Sequence, residues 1–203
     1  MKGRLLKLSL MVLMNLVLYM ASTAESTITK GSNQNSINFI KSSCRATRYP
    51  DVCVQTLLGY ANMINENEQK LAIVALTVSI SRTQSSASFM KKFSKVKGIK
   101  PREYSAVQDC KANMDSSVDR LNKSVKELGL LGKAKGEDLV WHINNVQTWV
   151  SAALTDQNTC VDNFSSPHMD QNLKAAIGAK VVGVSQVTSN ALALVNNFAS
   201  KHR

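Results

Sequence analysis

The strongest constraint on the fold is the stretch from Glu137 to Phe164, EDLVWHINNVQTWVSAALTDQNTCVDNF. Leu139, Ile143, Val146, Val150, Ala153, Gln157, Cys160 and Phe164 recur in steps of four and three, and only Gln157 among them is polar. That period gathers them into one stripe of an α-helix, a seam for packing against other helices. Ser151, Thr155, Thr159 and Asp162 fall on the opposite face. A cysteine near the helix end, on the buried side, predicts a covalent staple to a neighbouring element.

The rest of the chain supplies partners for this helix. Three prolines and nine glycines in 203 residues leave long uninterrupted segments, and 5% aromatic content suits helix–helix packing better than a β-sandwich. From Asn67 to Lys97 two overlapping stripes run, Leu71, Val74, Val78 and Ile73, Leu76, Ile80, Ala87, Met90. Lys91, Lys92, Lys95 and Lys97 fill its last turns before Gly98, complementing the helix dipole. Those lysines are also a candidate polyanion contact. Pro101 opens a second helix at its favoured first position. There Val107, Cys110, Met114, Val118, Leu121, Val125 and Leu128 share one face, and Gly129 and Gly132 mark the turn. Ser165-Ser166-Pro167 ends the third helix. Asp170 is placed to cap a fourth, which runs to about Ala199 with Leu173, Ile177, Val181, Val184, Thr188, Ala191, Val195 and Phe198 on one side. The prediction is an all-α fold, an up-down-up-down four-helix bundle over residues 67–200.

Ahead of the bundle, residues 36–66 read as a helical hairpin. Ile37, Ile40 and Cys44 share a face, Pro50 breaks the helix, and Val54, Leu57 and Leu58 continue the apolar side. Such a hairpin is too short to be stable alone. Residues 25–35 are polar and read as a flexible leader. In residues 1–24, Lys2, Arg4 and Lys7 precede an apolar run from Leu8 to Met20, then Ser22-Thr23-Ala24. This is the pattern of a secretory signal peptide cut after Ala24; the run falls short of the roughly 20 residues of a membrane span. Cleavage removes three of 25 basic residues and no acid, leaving 22 against 14, a net charge of +8. A basic secreted protein attracts an acidic polysaccharide or an acidic protein surface, with no nucleic acid expected outside the cell and no membrane contact after cleavage. The same charge also serves solubility.

All four cysteines lie in the mature part, which in an oxidising compartment suggests two disulfides with three connectivities. In an antiparallel hairpin turning at 129–136, Cys110 and Cys160 stand about 19 and 24 residues from the turn. They therefore meet at a similar level, which favours Cys110–Cys160 and leaves Cys44–Cys53.

Catalytic patterns are absent from the sequence. It contains no Gly-rich phosphate loop, C-x-x-C, H-E-x-x-H or G-x-S-x-G. His142, His168 and His202 are scattered, and Asp115 and Asp119, one turn apart, read as a solvated helix face. No catalytic residue, metal site or cofactor is expected. Two sequons, Asn122-Lys-Ser and Asn163-Phe-Ser, are candidate glycosylation sites. A secreted, stapled bundle of this kind is most simply a binding protein.

Four cysteines as Cys44-x8-Cys53 and Cys110-x49-Cys160, with CRATRYPDVC in the hairpin, SSVDRLNKSVKEL after the third cysteine and VQTWVSAALTDQNTCVDNF around the fourth, form a specific set. Over residues 36–199 the chain resembles the plant invertase/pectin methylesterase inhibitor family. The resemblance implies a four-helix bundle with an N-terminal hairpin, cysteines paired consecutively and no enzymatic activity. It also implies an apoplastic partner, a cell-wall carbohydrate enzyme blocked at its active-site cleft in a 1:1 complex.

Invertase inhibitors of the family typically carry Pro-Lys-Phe ahead of the fourth cysteine; this chain has none, and the corresponding turn reads GKAKGEDL. Pectin methylesterase is therefore the expected target, with invertase, or pectin itself without an enzyme partner, as alternatives. Family members on the pectin methylesterase side usually present acids at the second, sixth and ninth positions after the third cysteine. Here these are Ala112, Ser116 and Asp119, followed on that face by Lys123, and Met114 stands where a tyrosine is usual. Thr159 and Asp162 match the family. The target enzymes commonly have basic surfaces, so Asp119 and Asp162 are the expected charge contacts.

Overall fold

The computed structural model describes residues 33–202 except Lys97 and Lys133; the expected signal peptide and most of the expected leader lie outside the described residues. Each long apolar stripe forms a long helix. Helix α1 spans 33–44. It is followed by α2 (Pro50–Leu57), a 3₁₀ turn (Leu58–Tyr60), α3 (Ala61–Ile64), α4 (Glu68–Phe93), α5 (Pro101–Leu130), α6 (Gly136–Asp162) and α7 (Gln171–Ser200). The long four are each about 39–45 Å from end to end. The expected boundaries move in three places. Helix α1 takes in residues 33–35 of the leader, where Gln34 Nε2 donates to Asn38 Oδ1 at 3.1 Å and the next residue, Ser36, is buried. Helix α4 stops at Phe93 instead of Lys97, because Ser94 Oγ turns back onto the Lys91 carbonyl at 3.0 Å. Helix α6 stops at Asp162, two residues short of Phe164, whose ring is buried beyond the helix end.

The starts of the helices follow local chemistry. Asn67 caps α4 by accepting from Lys70 N–H at 2.8 Å, and Asp170 caps α7 by accepting from Leu173 N–H at 2.9 Å. Pro101 holds the first turn of α5, where the Glu103 carboxylate reaches back to Lys100 N–H at 3.2 Å. Its other oxygen accepts from Asp170 N–H at 3.0 Å, tying the α4–α5 and α6–α7 connections together at one end of the bundle.

The four long helices form a ring in which α5 packs on α4 and α6, and α7 packs on α6 and α4. Neighbours run antiparallel: Gln69 at the start of α4 donates to the Leu128 carbonyl near the end of α5, and Lys201 just past α7 pairs with Glu68 at the start of α4. The interior divides into two apolar halves. One, beside the hairpin, contains Ile40, Leu57, Leu76, Leu121, Ile143, Val150 and Leu194; the other contains Met90, Val107, Met114, Phe164, Ile177 and Val181.

Between the halves lies a polar layer fed by all four helices. Ser79 and Thr188 share a 2.5 Å hydrogen bond, and Gln157 Nε2 donates to Ser117 Oγ at 2.8 Å and Thr83 Oγ1 at 3.4 Å. All five residues are fully buried. Thr83 and Thr188 also donate to carbonyls one turn back in their own helices, so their hydroxyls do not face apolar surroundings unpaired.

The hairpin packs against the side formed by α4 and α7, with its Cys44–Cys53 bridge (Cα–Cα 5.6 Å) fully buried in the first apolar half. Pro50 stands at the first turn of α2. The Asn190 carboxamide, almost fully buried, clasps the backbone of Tyr49, accepting from its N–H at 3.0 Å and donating to its carbonyl at 2.8 Å.

Candidate functional site

On α5 the buried stripe runs Val107, Cys110, Met114, Ser117, Leu121, Ser124 and Leu128, an unbroken alternation of three and four. This corrects the expected stripe: Ser117 and Ser124 take the inward positions assigned to Val118 and Val125, which are half-buried. A small hydroxyl there lets the helices approach closely, and Ser124 satisfies itself by donating to the Arg120 carbonyl at 3.0 Å. With the stripe placed, Ala112, Ser116, Asp119 and Lys123 follow one another along the outward side of α5, all exposed. Met114, which matches a tyrosine position of the family, points into the core with no exposure.

Helix α6 repeats the pattern. Ile143, Val146, Val150, Ala153, Gln157 and Cys160 are buried, while Ser151, Thr155, Thr159 and Asp162 are exposed. Leu139, the first residue of the seam, is half-buried. Thr159 donates to the Thr155 carbonyl at 3.0 Å, which fixes its rotamer and leaves its methyl and oxygen lone pairs at the surface.

The two helices are joined by Cys110–Cys160, with Cα atoms 4.4 Å apart and both residues fully buried. This bridge puts Ala112 and Thr159 near a common level. Asp119 lies seven residues from Ala112, about 10 Å further along α5, and Asp162 lies on the opposite side of the bridge level. The five residues are exposed along α5 and α6, and Asp119 lines a groove that it shares with Gln84, Ala87 and Ser88 of α4. A second tie, unforeseen in the sequence, is the Arg120 Nε–Asp156 Oδ2 ion pair at 2.9 Å. Residue 120 stands ten positions, about 15 Å, beyond Cys110 and residue 156 four positions, about 6 Å, before Cys160, so the long arginine side chain spans an offset in height and no spacing in the sequence pairs the two.

The face has a definite charge pattern. Asp115 is neutralised by Lys111 at 2.5 Å and Asp156 by Arg120. Asp119 and Asp162 enter no ion pair among the described residues and are exposed. Beyond the face, toward the α5–α6 turn, the Glu127 carboxylate accepts from Asn145 at 3.0 Å and lies 2.7 Å from His142 Nδ1. Burial alone would raise its pKa; the hydrogen bonds from Asn145 and His142 and the positive charge of His142 outweigh this and hold it below its ordinary value. His142 is thus a structural partner between α5 and α6. The two sequon asparagines differ: Asn122 is exposed within α5 with its amide on the Val118 carbonyl at 3.0 Å, and Asn163 is half-buried at the end of α6.

Among the described residues no group of three His, Cys, Asp or Glu is placed to hold a metal ion, and no helix is long and apolar enough to cross a membrane. What the α5–α6 face can do chemically is present two unpaired carboxylates and small polar groups on a stiff support.

Comparison with known proteins agrees with this architecture. Residues 38–194 match the family described as plant invertase/pectin methylesterase inhibitor. A 21 kDa protein of Daucus carota is 52% identical over 165 residues, covering 81% of this chain and 86% of the relative. Pectinesterase inhibitor 9 of Arabidopsis thaliana is 47% identical over 195 residues, 95% and 93% of the two chains. A crystal structure of a mutant pectin methylesterase inhibitor from Arabidopsis superposes with a TM-score of 0.60 at 20% identity, over 75% of this chain and 92% of the other, a likeness of fold. On the family match and these identities, the chain belongs to the plant invertase/pectin methylesterase inhibitor family.

Proposed function

We propose that this protein is a secreted, non-catalytic inhibitor of pectin methylesterase. It forms a 1:1 complex with the enzyme in the plant cell wall and thereby restrains pectin de-esterification. The observation that carries this reading is its high identity to pectinesterase inhibitors over nearly the whole chain. The α5–α6 face is the proposed contact surface, with Ala112, Ser116, Asp119, Thr159 and Asp162 on the disulfide-braced helix pair. Support for this comes from the two exposed carboxylates without ion-pair partners, which suit an enzyme with a basic surface.

The test titrates the mature chain, residues 25–203, into pectin methylesterase and, separately, into invertase, each with its own substrate. Inhibition of pectin methylesterase alone is expected. Inhibition of invertase alone would overturn the reading. Asp119→Lys with Asp162→Lys should weaken inhibition roughly tenfold at low salt, mainly through slower association. Ala112→Glu with Ser116→Asp should tighten it. If neither pair changes inhibition while the melting temperature holds, this face is not the interface.

A further inference from the structure

The sequence from Lys91 to Arg102, KKFSKVKGIKPR, holds six of the chain's 25 basic residues and no acid. It forms the corner where α4 ends and α5 begins. Lys91, Lys92, Lys95 and Arg102 are exposed there and enter no ion pair among the described residues; Lys100 stands 3.7 Å from Glu103 with most of its side chain in solvent. Lysines at the end of α4 are explained by the helix dipole. Lys100 and Arg102 are not, because they sit at the start of α5, where the dipole disfavours cations. Helix stability therefore does not account for the concentration of charge at this corner.

Beside these cations opens a mainly apolar cleft of about 450 Å³, lined by Phe93, Val96, Ile99 and Leu173 together with Glu103 and Asp170. Both oxygens of the nearly buried Glu103 carboxylate are occupied by backbone N–H groups, of Lys100 and Asp170, so this acid does not stand free against an anion. Tyr104, four residues past Lys100, is 44% exposed and offers an aromatic face.

We propose that this corner binds an acidic polysaccharide, a chain of uronate sugars carrying free carboxylates. Such a chain alternates negative groups with the flat C–H faces of its rings. The first complement the unpaired lysines and Arg102; the second suit Tyr104 and the apolar cleft. None of these residues belongs to the proposed enzyme-facing set, so one molecule can hold wall polymer at the α4–α5 corner and enzyme on the α5–α6 face. This second part rests on the functional reading above, while the polysaccharide site itself does not.

The test uses the mature chain with de-esterified polygalacturonate and, as a neutral probe, the same polymer fully methyl-esterified. The triple variant Lys91→Glu/Lys92→Glu/Lys95→Glu is compared with Lys41→Glu/Lys70→Glu/Lys126→Glu, an equal charge change at exposed positions away from the corner. Polygalacturonate affinity should fall at least ~10-fold in the first and less than ~2-fold in the second, and should weaken as salt shortens the screening length. The esterified polymer should bind weakly throughout. Equal losses in the two variants would reduce the effect to net charge, and equal affinity for both polymers would remove the carboxylate from recognition. Equal binding to an acidic globular protein would shift the partner away from polysaccharide. Any of these overturns the proposal. If the corner variant loses its helical melting transition, the Lys→Gln version at the same positions carries the comparison. Pectin methylesterase inhibition, measured on a short soluble substrate, should survive the corner variant. A protein that inhibits no enzyme yet binds polygalacturonate through this corner would sink the functional reading and leave the site standing.

Discussion

Replacing Asn190 by alanine is the most direct test of how the hairpin is held. Its carboxamide makes two hydrogen bonds to the backbone of Tyr49, at 3.0 and 2.8 Å, across 141 residues of sequence. After truncation the Tyr49 carbonyl keeps the bond it accepts from Cys53 N–H, at 3.0 Å. The Tyr49 N–H loses the partner it has here. A lost second bond to a carbonyl costs about 0.5–1.5 kcal/mol and an orphaned, partly buried donor about 1–3, so a total near 2–3 kcal/mol follows. For a domain of this size that is a fall of roughly 5–10 °C in melting temperature. Urea unfolding should show a lower midpoint at unchanged slope, since the buried surface is the same. Amide exchange should single out Tyr49 as newly unprotected. Asn190→Asp, which keeps the acceptor but sets a carboxylate against the Tyr49 carbonyl, should cost at least as much at neutral pH. If Asn190→Ala stays within about 0.5 kcal/mol of the parent and the Tyr49 amide remains protected, the clasp does not hold the hairpin.

Three further outcomes follow from the packing. Thr188→Val should destabilise by about 1–3 kcal/mol because it strands the buried Ser79 hydroxyl, and Ser79→Ala added to it should recover most of the loss; a chemical-melt double-mutant cycle measures this. Removing Cys110–Cys160, which spans 50 residues, should cost about 4 kcal/mol, and removing Cys44–Cys53, which spans 9, about 2–3, with thermal melts of the paired Cys→Ala variants as the measure. Glu127, held below its ordinary value of 4.5, stabilises the fold above that value and loses its contribution as the pH falls through its lower folded value. Glu127→Gln should therefore be less stable at neutral pH and show a shallower decline below about pH 4.5 in melts taken across pH.

The long helices were legible wherever hydrophobic periodicity was strong. All eight stripe residues of α7 are buried, as are seven of the eight in the seam that includes α6. Helix α4 gave the weakest pattern for a physical reason: Ser79, Thr83 and Ser86 occupy core positions, and a hydrophobicity reading passes over hydroxyls. The same blindness chose Val118 and Val125 over Ser117 and Ser124 on α5. Serine and threonine can enter a helical core because they bond to carbonyls of their own preceding turn. On the candidate face, the outward placement of Ala112, Ser116, Asp119, Thr159 and Asp162 follows from the period alone. The Arg120–Asp156 tie and the Asn190 clasp depend on which helices become neighbours and at what height. No local pattern encodes that.

The polar layer has a consequence for alignment. Two bundle helices with purely aliphatic seams can slide past one another by a turn, about 5.4 Å, and still bury similar area. Here such a slip of α6 against α5 would carry Gln157 from Ser117 to the level of Met114 or Leu121, whose side chains offer its amide no hydrogen bond. A slip of α7 against α4 would break the Ser79–Thr188 bond. Buried polar contacts of this kind penalise every shifted assembly more than they stabilise the correct one. The heights of Asp119 and Asp162 relative to each other are thereby gauged from inside the bundle, by side chains that no partner touches.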